Sequence, residues 1–179
     1  MSSKFTIRPE NQVDFEQVSQ IVKKAFTEGD LGYQGEGELV EKLRAFDGYI
    51  PELSLVAEAD RQIVGHIILS RVFIQTDTAS VPTLILAPVS VLPSFQKQGI
   101  GGALINAVHK AAIDMGESNV FLLGHLEYYP RFGYGPSRHF GISFPDGRED
   151  DHCMSVELVC GSLEEINGTL EYSKPFYEI

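Results

Sequence analysis

The chain has 179 residues, 43% of them hydrophobic, with 25 acidic against 14 basic side chains and a formal net charge of -11. That length suits one domain able to bury about 70% of its unfolded surface, and the acidity argues against nucleic acid, whose binding rests on lysine and arginine neutralising phosphates. No apolar run approaches the roughly 20 residues that span a bilayer, the start Met1-Ser2-Ser3-Lys4-Phe5 has no signal core, and Cys153 and Cys160, the only cysteines, make neither a zinc set nor a disulfide framework. A cytoplasmic protein with no membrane contact is expected, as a monomer or homodimer.

Phe5 to Arg8 reads as a first strand. Pro9-Glu10-Asn11 turns into a helix from about Val13 to Phe26, with Asn11 and Asp14 as a capping pair. Thr27 to Gly37 is a glycine-rich loop, and Glu38 to Arg44 a short second helix. Ser54 to Ala59 and Gln62 to Ser70, split by Asp60-Arg61, form a hairpin that extends toward Ile74, and Thr76 to Ser80 is a polar turn. The apolar run Leu84 to Val91 reads as a buried strand stopped by Pro93. From Gly101 onward Leu104, Ile105, Val108, Ala111, Ala112 and Met115 recur at helical spacing, with Gly116 as the C-cap.

Val120 to Leu123 is a further short strand. Phe140 to Phe144 and Met154 to Val159 alternate like closing strands around the charged loop Pro145 to His152, and Gly161 to Ile179 reads as an ordered extension. There are no internal repeats.

Gly99, Gly101 and Gly102 stand where the long helix begins. Without Cβ atoms they let a ligand approach the backbone, and the N-H groups of a first helical turn face outward at the positive end of the macrodipole. Such a turn is an anion site, most often a phosphate site. A P-loop is excluded because Gly101 is followed by Gly102-Ala103-Leu104 and not by Lys-Ser/Thr. The dinucleotide fingerprint is excluded because Leu104 stands at its third glycine.

What remains, Gln96-x-x-Gly99-x-Gly101, resembles the Gln/Arg-x-x-Gly-x-Gly/Ala signature of the GNAT superfamily of N-acetyltransferases. Downstream, Tyr128-Tyr129-Pro130-Arg131-Phe132-Gly133-Tyr134 is similar to that family's aromatic-Tyr-x-x-Leu/Phe-Gly-aromatic motif. The resemblance covers roughly residues 4 to 145 and is closest to a bacterial subgroup of mostly uncharacterised acetyltransferases. It implies a mixed α/β (α+β) fold, with a mostly antiparallel central sheet splayed at the cofactor strand and helices on both faces. Residues 1–145 would form the acetyltransferase domain, and 146–179 a C-terminal strand and extension of the same domain.

The resemblance also implies acetyl-CoA as the acetyl donor. The Val89 N-H would then point at the acetyl oxygen, Val91 would bond pantetheine amides, and Gln96, Lys97, Gln98, Gly99, Ile100, Gly101, Gly102 and Ala103 would form the pyrophosphate loop, with Lys110 as a further cation. The side chains of Val89 and Val91 are expected in the core. Pro88, which cannot donate to a ladder, suits a strand parting from its neighbour.

Tyr129 aligns with the family's tyrosine that protonates the coenzyme A thiolate, and Tyr128 is left to packing. The family's pantetheine-binding asparagine is missing from Leu122-Leu123-Gly124-His125-Leu126-Glu127, so His125 replaces it or nothing does. No general base is singled out among Glu36, Glu38, His66 and Glu127, and a chain of waters is the alternative. Tyr33 and Glu36 are the candidates for holding the acceptor.

The function expected is transfer of an acetyl group from acetyl-CoA to a primary amine, borne by a small molecule or a peptide, by direct attack in a ternary complex. No Cys or Ser stands in a nucleophile motif. The alternative is a non-catalytic acyl-CoA-binding sensor. No metal is implied.

Overall fold

The computed structural model describes residues 5–29 and 32–179; Met1 to Lys4 of the start, and Asp30 and Leu31 of the glycine-rich loop, lie outside them. Its elements are β1 (Phe5–Pro9), α1 (Phe15–Thr27), α2 (Glu36–Arg44), β2 (Ser54–Ala59), β3 (Gln62–Gln75), β4 (Ser80–Val91), α3 (Ile100–Asp114), β5 (Asn119–Leu123), β6 (Gly135–Pro136), β7 (Ile142–Ser143), β8 (Cys153–Glu157) and β9 (Gly168–Glu171). They fall into two compact units, with β3, β4 and α3 running from one into the other.

The first unit comprises Met1–Ser70, Ala87–Ala111 and Pro175–Ile179. Its strand order is β1-β2-β3-β4, and β1 and β3 both pair antiparallel with β2, Val56 standing opposite His66. Val18, Ile21 and Val22 of α1 and Leu39, Val40 and Leu43 of α2 are buried at helical spacing. A short 3-10 turn, Gln12–Asp14, precedes α1, where the Asn11 N-H donates to Asp14 Oδ2 at 2.7 Å. Val13 is left 88% exposed, so the helix opens at Phe15 and not at Val13. Arg8 grips Asp14 through two N-H donors at 2.7 and 2.9 Å, which holds that carboxyl below the usual range.

The two faces of β3 carry different helices. A Cβ at Gly65 would lie 3.1 to 3.2 Å from Leu104 Cδ1 and Ile100 Cγ2, so α3 packs directly on the β3 backbone. His66, the next residue, meets groups from the α2 side instead. Helices thus cover both faces, as expected.

The second unit comprises Arg71–Leu86 and Ala112–Lys174. Its order is β3-β4-β5-β8-β6, with β4 and β5 parallel and β5, β8 and β6 antiparallel. Phe121 and Phe144 are fully buried with ring centroids 6.2 Å apart, among Val120, Leu122, Met154 and Leu170. After α3, Gly116 adopts φ 84° and the Glu117 N-H returns to Ala112 O at 2.9 Å, the glycine stop expected there.

Two readings of the sequence change here. Phe140 to Phe144 is not one strand: Ser137–Phe140 forms a 3-10 turn ended by Gly141 at φ 70°, Ile142–Ser143 pairs parallel to β9, and Phe144 makes an isolated bridge to Arg148. The tail carries an unanticipated strand, β9, whose Leu170 stands opposite Ile74 of β3.

Candidate active site

The site begins at the end of β4. Strand β4 pairs with β5 through Leu84↔Val120 and Ile85↔Phe121, then runs on to Val91. The Leu92 N-H donates to Val64 O of β3 at 2.9 Å. Successive backbone groups of a strand face opposite edges, so the Ser90 N-H also turns to β3, while the Val89 and Val91 N-H groups turn to the other edge. Proline 88 has no N-H to offer β3. The Val89 and Val91 side chains are only half-buried, against the expectation of core, because the wholly buried positions here are Leu86, Pro88 and Ser90.

A 3-10 turn at Pro93–Phe95 leads from β4 to α3. The Gln96 amide donates to Val91 O at 3.1 Å, back to the end of β4, and the Gln98 amide to Ser94 O of the turn at 3.3 Å. Lys97 (φ 60°) and Gly99 (φ 84°) take the left-handed conformation that swings the chain into the helix. The first helical bond runs from the Ala103 N-H to Gly99 O at 3.0 Å. Ala103 therefore has its donor engaged, and the N-H groups of Ile100, Gly101 and Gly102 are left without an intrahelical acceptor. With Ile100 only 1% and Leu104 0% exposed against Gly65, this cradle is fixed to β3. Three adjacent donors at the positive end of a helix fit a pyrophosphate. The Lys97 side chain is exposed beside them.

Tyr129 belongs to the second unit. It opens the 3-10 turn Tyr129–Phe132, with its ring edge-on to Tyr128 and Tyr134 at 5.1 and 5.8 Å. The ring lies over Gly124, where a Cβ would come within 2.3 Å of two ring carbons. Only glycine fits there, a requirement the sequence did not announce. The residue is 8% exposed, and burial pushes its phenol well above the usual range. Among the described residues its hydroxyl has no hydrogen-bond partner, yet it is not among the wholly enclosed polar atoms. His125 and Glu127 are exposed beside the ring, and Arg131 stacks 4.6 Å above the Tyr128 ring while donating to Tyr128 O at 2.9 Å.

The acceptor candidates sit at the start of α2. The Tyr33 hydroxyl donates to Glu38 and accepts the Gly37 N-H at 3.1 Å, and the Lys23 ammonium lies 5.8 Å over its ring. Glu36 accepts the Gln34 N-H at 2.8 Å. Tyr33 thus satisfies an N-H of the first turn of α2, and Glu36 holds the backbone just ahead of the helix. Among the described residues no cluster of His, Cys, Asp or Glu could hold a metal, and no helix is long and apolar enough to cross a membrane.

A buried polar group that the sequence did not reveal lies on the α2 side of β3. Glu10 has a fully buried carboxylate that receives Arg44 at 2.7 and 3.1 Å, the Tyr49 hydroxyl at 2.9 Å and the Ser54 hydroxyl at 2.6 Å. Burial alone would raise its pKa, but these donors bring it below the usual carboxylate range. His66 joins through Nε2, 3.1 Å from Ser54 Oγ.

Comparison with known proteins decides the family. Residues 51–136 match the family model of the acetyltransferase (GNAT) domain. The chain is 33% identical to a GNAT family acetyltransferase from Brucella melitensis, whose structure was determined in complex with acetyl-CoA, over 97% of this chain and 99% of that one, with a TM-score of 0.77. This chain belongs to the GNAT family of acetyltransferases. Among GNAT proteins it is also similar to YhbS from Escherichia coli, determined in complex with CoA, at 26% identity and a TM-score of 0.87 over 100% of this chain and 95% of that one. A further relative, the uncharacterized N-acetyltransferase YjhQ of Escherichia coli K12, is 29% identical over 174 residues, covering 96% of this chain and 93% of YjhQ. The glycine loop and Tyr129 both lie inside the matched GNAT stretch.

Proposed function

We propose that this GNAT enzyme moves an acetyl group from acetyl-CoA to the primary amine of a small molecule or peptide, by direct attack in a ternary complex. Two sets of N-H groups carry this reading: those of Val89 and Val91, which strand alternation turns from β3, and those of Ile100, Gly101 and Gly102 at the start of α3, ahead of the first helical bond from the Ala103 N-H to Gly99 O. The first pair suits the carbonyl and amides of a thioester arm, and the second set suits a pyrophosphate. Lys97 adds a cation beside the phosphates.

In the transfer, the neutral amine nitrogen bonds to the thioester carbon, the Val89 N-H takes up the charge growing on the oxygen, the carbon-sulfur bond then breaks, and the proton lost by the nitrogen passes to water. We assign Tyr129 the proton for the departing thiolate. Support comes from its motif and from a phenol oxygen that has no hydrogen-bond partner among the described residues. A phenol whose pKa burial raises stays protonated across the neutral range. We place the acceptor near Tyr33 and Glu36, and we take residues 146–179 as part of the same catalytic domain. Supporting that last reading, β8 pairs β5 and β9 pairs β3.

Incubation of the protein with acetyl-CoA and a panel of amines, following free thiol, tests the reading. Amine-dependent thiol release with one acetylated amine formed per thiol supports it. Tight CoA binding with no release under any amine would instead fit an acyl-CoA sensor.

A further inference from the structure

Glu10, Ser54 and His66 form a chain of buried polar groups on β3's α2 side, and the tautomer of His66 follows from them. The Ser54 hydroxyl has one hydrogen, and the 2.6 Å contact commits it to Glu10 Oε1. In the 3.1 Å contact with Ser54 Oγ the imidazole must therefore donate, and the other neighbour of Nε2, Glu10 Oε2 at 3.5 Å, can only accept. Nε2 carries the hydrogen, and Nδ1 of the neutral ring holds a lone pair. Burial lowers the His66 pKa to about 4, so the ring stays neutral at physiological pH.

That Nδ1 is buried without a partner, and so is Ser90 Oγ. The two belong together by register. The Leu92 N-H bonds Val64 O, and counting two residues along each antiparallel strand brings Ser90 opposite His66, with both side chains on one face. The Ser90 carbonyl, 3.1 Å from a Cβ built on Gly65, fits this register. A hydroxyl hydrogen without an acceptor thus stands across from an acceptor without a hydrogen. Leaving both unmet in the interior is costly.

We propose that Ser90 donates its hydroxyl hydrogen toward His66 Nδ1 across one buried water, and that His66 is thereby a positioning residue for the Val89–Val91 edge. The chain Ser90, His66, Ser54, Glu10 then runs from β4 to a carboxylate anchored by Arg44. Each donor is polarised by the next. Ser90 lies between the two residues whose N-H groups the proposed function assigns to the thioester arm, so the inference rests on that reading. Its consequence is a fixed backbone where the reacting carbonyl must be held.

The two nitrogens are separated by paired substitutions. Asparagine at 66 can place an acceptor near the Nδ1 position, and glutamine a donor near the Nε2 position. His66→Gln and Ser90→Ala are each expected to lower kcat about tenfold, with CoA affinity by calorimetry changed less than about twofold. His66→Asn and Ser90→Thr should keep most of the rate. The Ser90→Ala/His66→Gln double variant should be no slower than either single one. Equal losses for Asn and Gln, or multiplicative losses in the double variant, overturn the link.

Nitrogen NMR of the unmodified protein needs no variant to fold. The expected spectrum shows an Nε2-H tautomer with a hydrogen-bonded Nδ1, and a free Nδ1 or an Nδ1-H tautomer overturns the link. Failure of the proposed function would be separate, read as an unmodified protein that binds no CoA while this spectrum stands.

Discussion

The side chain of Gln96 donates to the carbonyl of Val91 at 3.1 Å, tying the signature turn to the strand it leaves. The Val91 N-H and C=O share one edge of β4, so this bond occupies the carbonyl and leaves the N-H for a ligand. Gln96 is therefore a latch. Gln96→Leu should weaken CoA binding about fivefold, the worth of one hydrogen bond near 1 kcal/mol. Calorimetry reads this directly, and an unchanged affinity would remove the latch.

Tyr129 and Gly124 make a linked pair. Tyr129→Phe keeps the ring and loses the proton, so kcat should fall about tenfold to a thousandfold while CoA affinity holds. Gly124→Ala brings a methyl against the ring. It should lower kcat in the same range and also lower the melting temperature, because the ring must move or strain. Full activity in Tyr129→Phe would leave the phenol as packing only.

Much of this was legible in the sequence because it rests on local chemistry. The stop at Pro93, the glycines before α3 and the glycine after it each act through their own backbone, so position alone revealed the strand, turn and helix. The roles of Gln96, Gly124 and His66 depend on partners. Gln96 is read as a phosphate-loop residue until Val91 is seen to accept its amide, and Gly124 as an empty place until the Tyr129 ring lies on it. Glu10 and Ser54 are 44 residues apart and meet only through folding. β9 is hidden in the sequence for a related reason: Gly168-Thr169-Leu170-Glu171 is too short to show a period, and its strand character comes from β3 and β7.

Acid should destabilise the protein before its carboxylates titrate. Burial lowers His66 and His109 from 6.5 to about 4. The unfolded chain therefore binds protons below pH 6.5 that the folded protein refuses until about pH 4. Stability from these groups is complete above pH 6.5 and is lost as pH falls toward 4. Each histidine costs up to about 1.4 kcal/mol per pH unit within the window. Urea unfolding at pH 7 and pH 5 measures the loss, and His109→Gln should remove about half of it. Equal stability at the two values would show both rings already charged or hydrated.

The acceptor assignment concerns Tyr33 and Glu36. Tyr33→Ala or Glu36→Ala should raise the acceptor KM about threefold to thirtyfold while sparing acetyl-CoA affinity, since a removed substrate contact acts mainly on binding. Unchanged acceptor kinetics in both variants would restrict these residues to ordering the start of α2.

The most direct test is calorimetric titration of CoA into the unmodified protein and into Gly101→Glu. The cradle of Ile100, Gly101 and Gly102 predicts saturable binding by the first and none by a folded second, because the new side chain would fill the pyrophosphate position with a like charge. Equal binding by both would contradict the placement of the cofactor on α3.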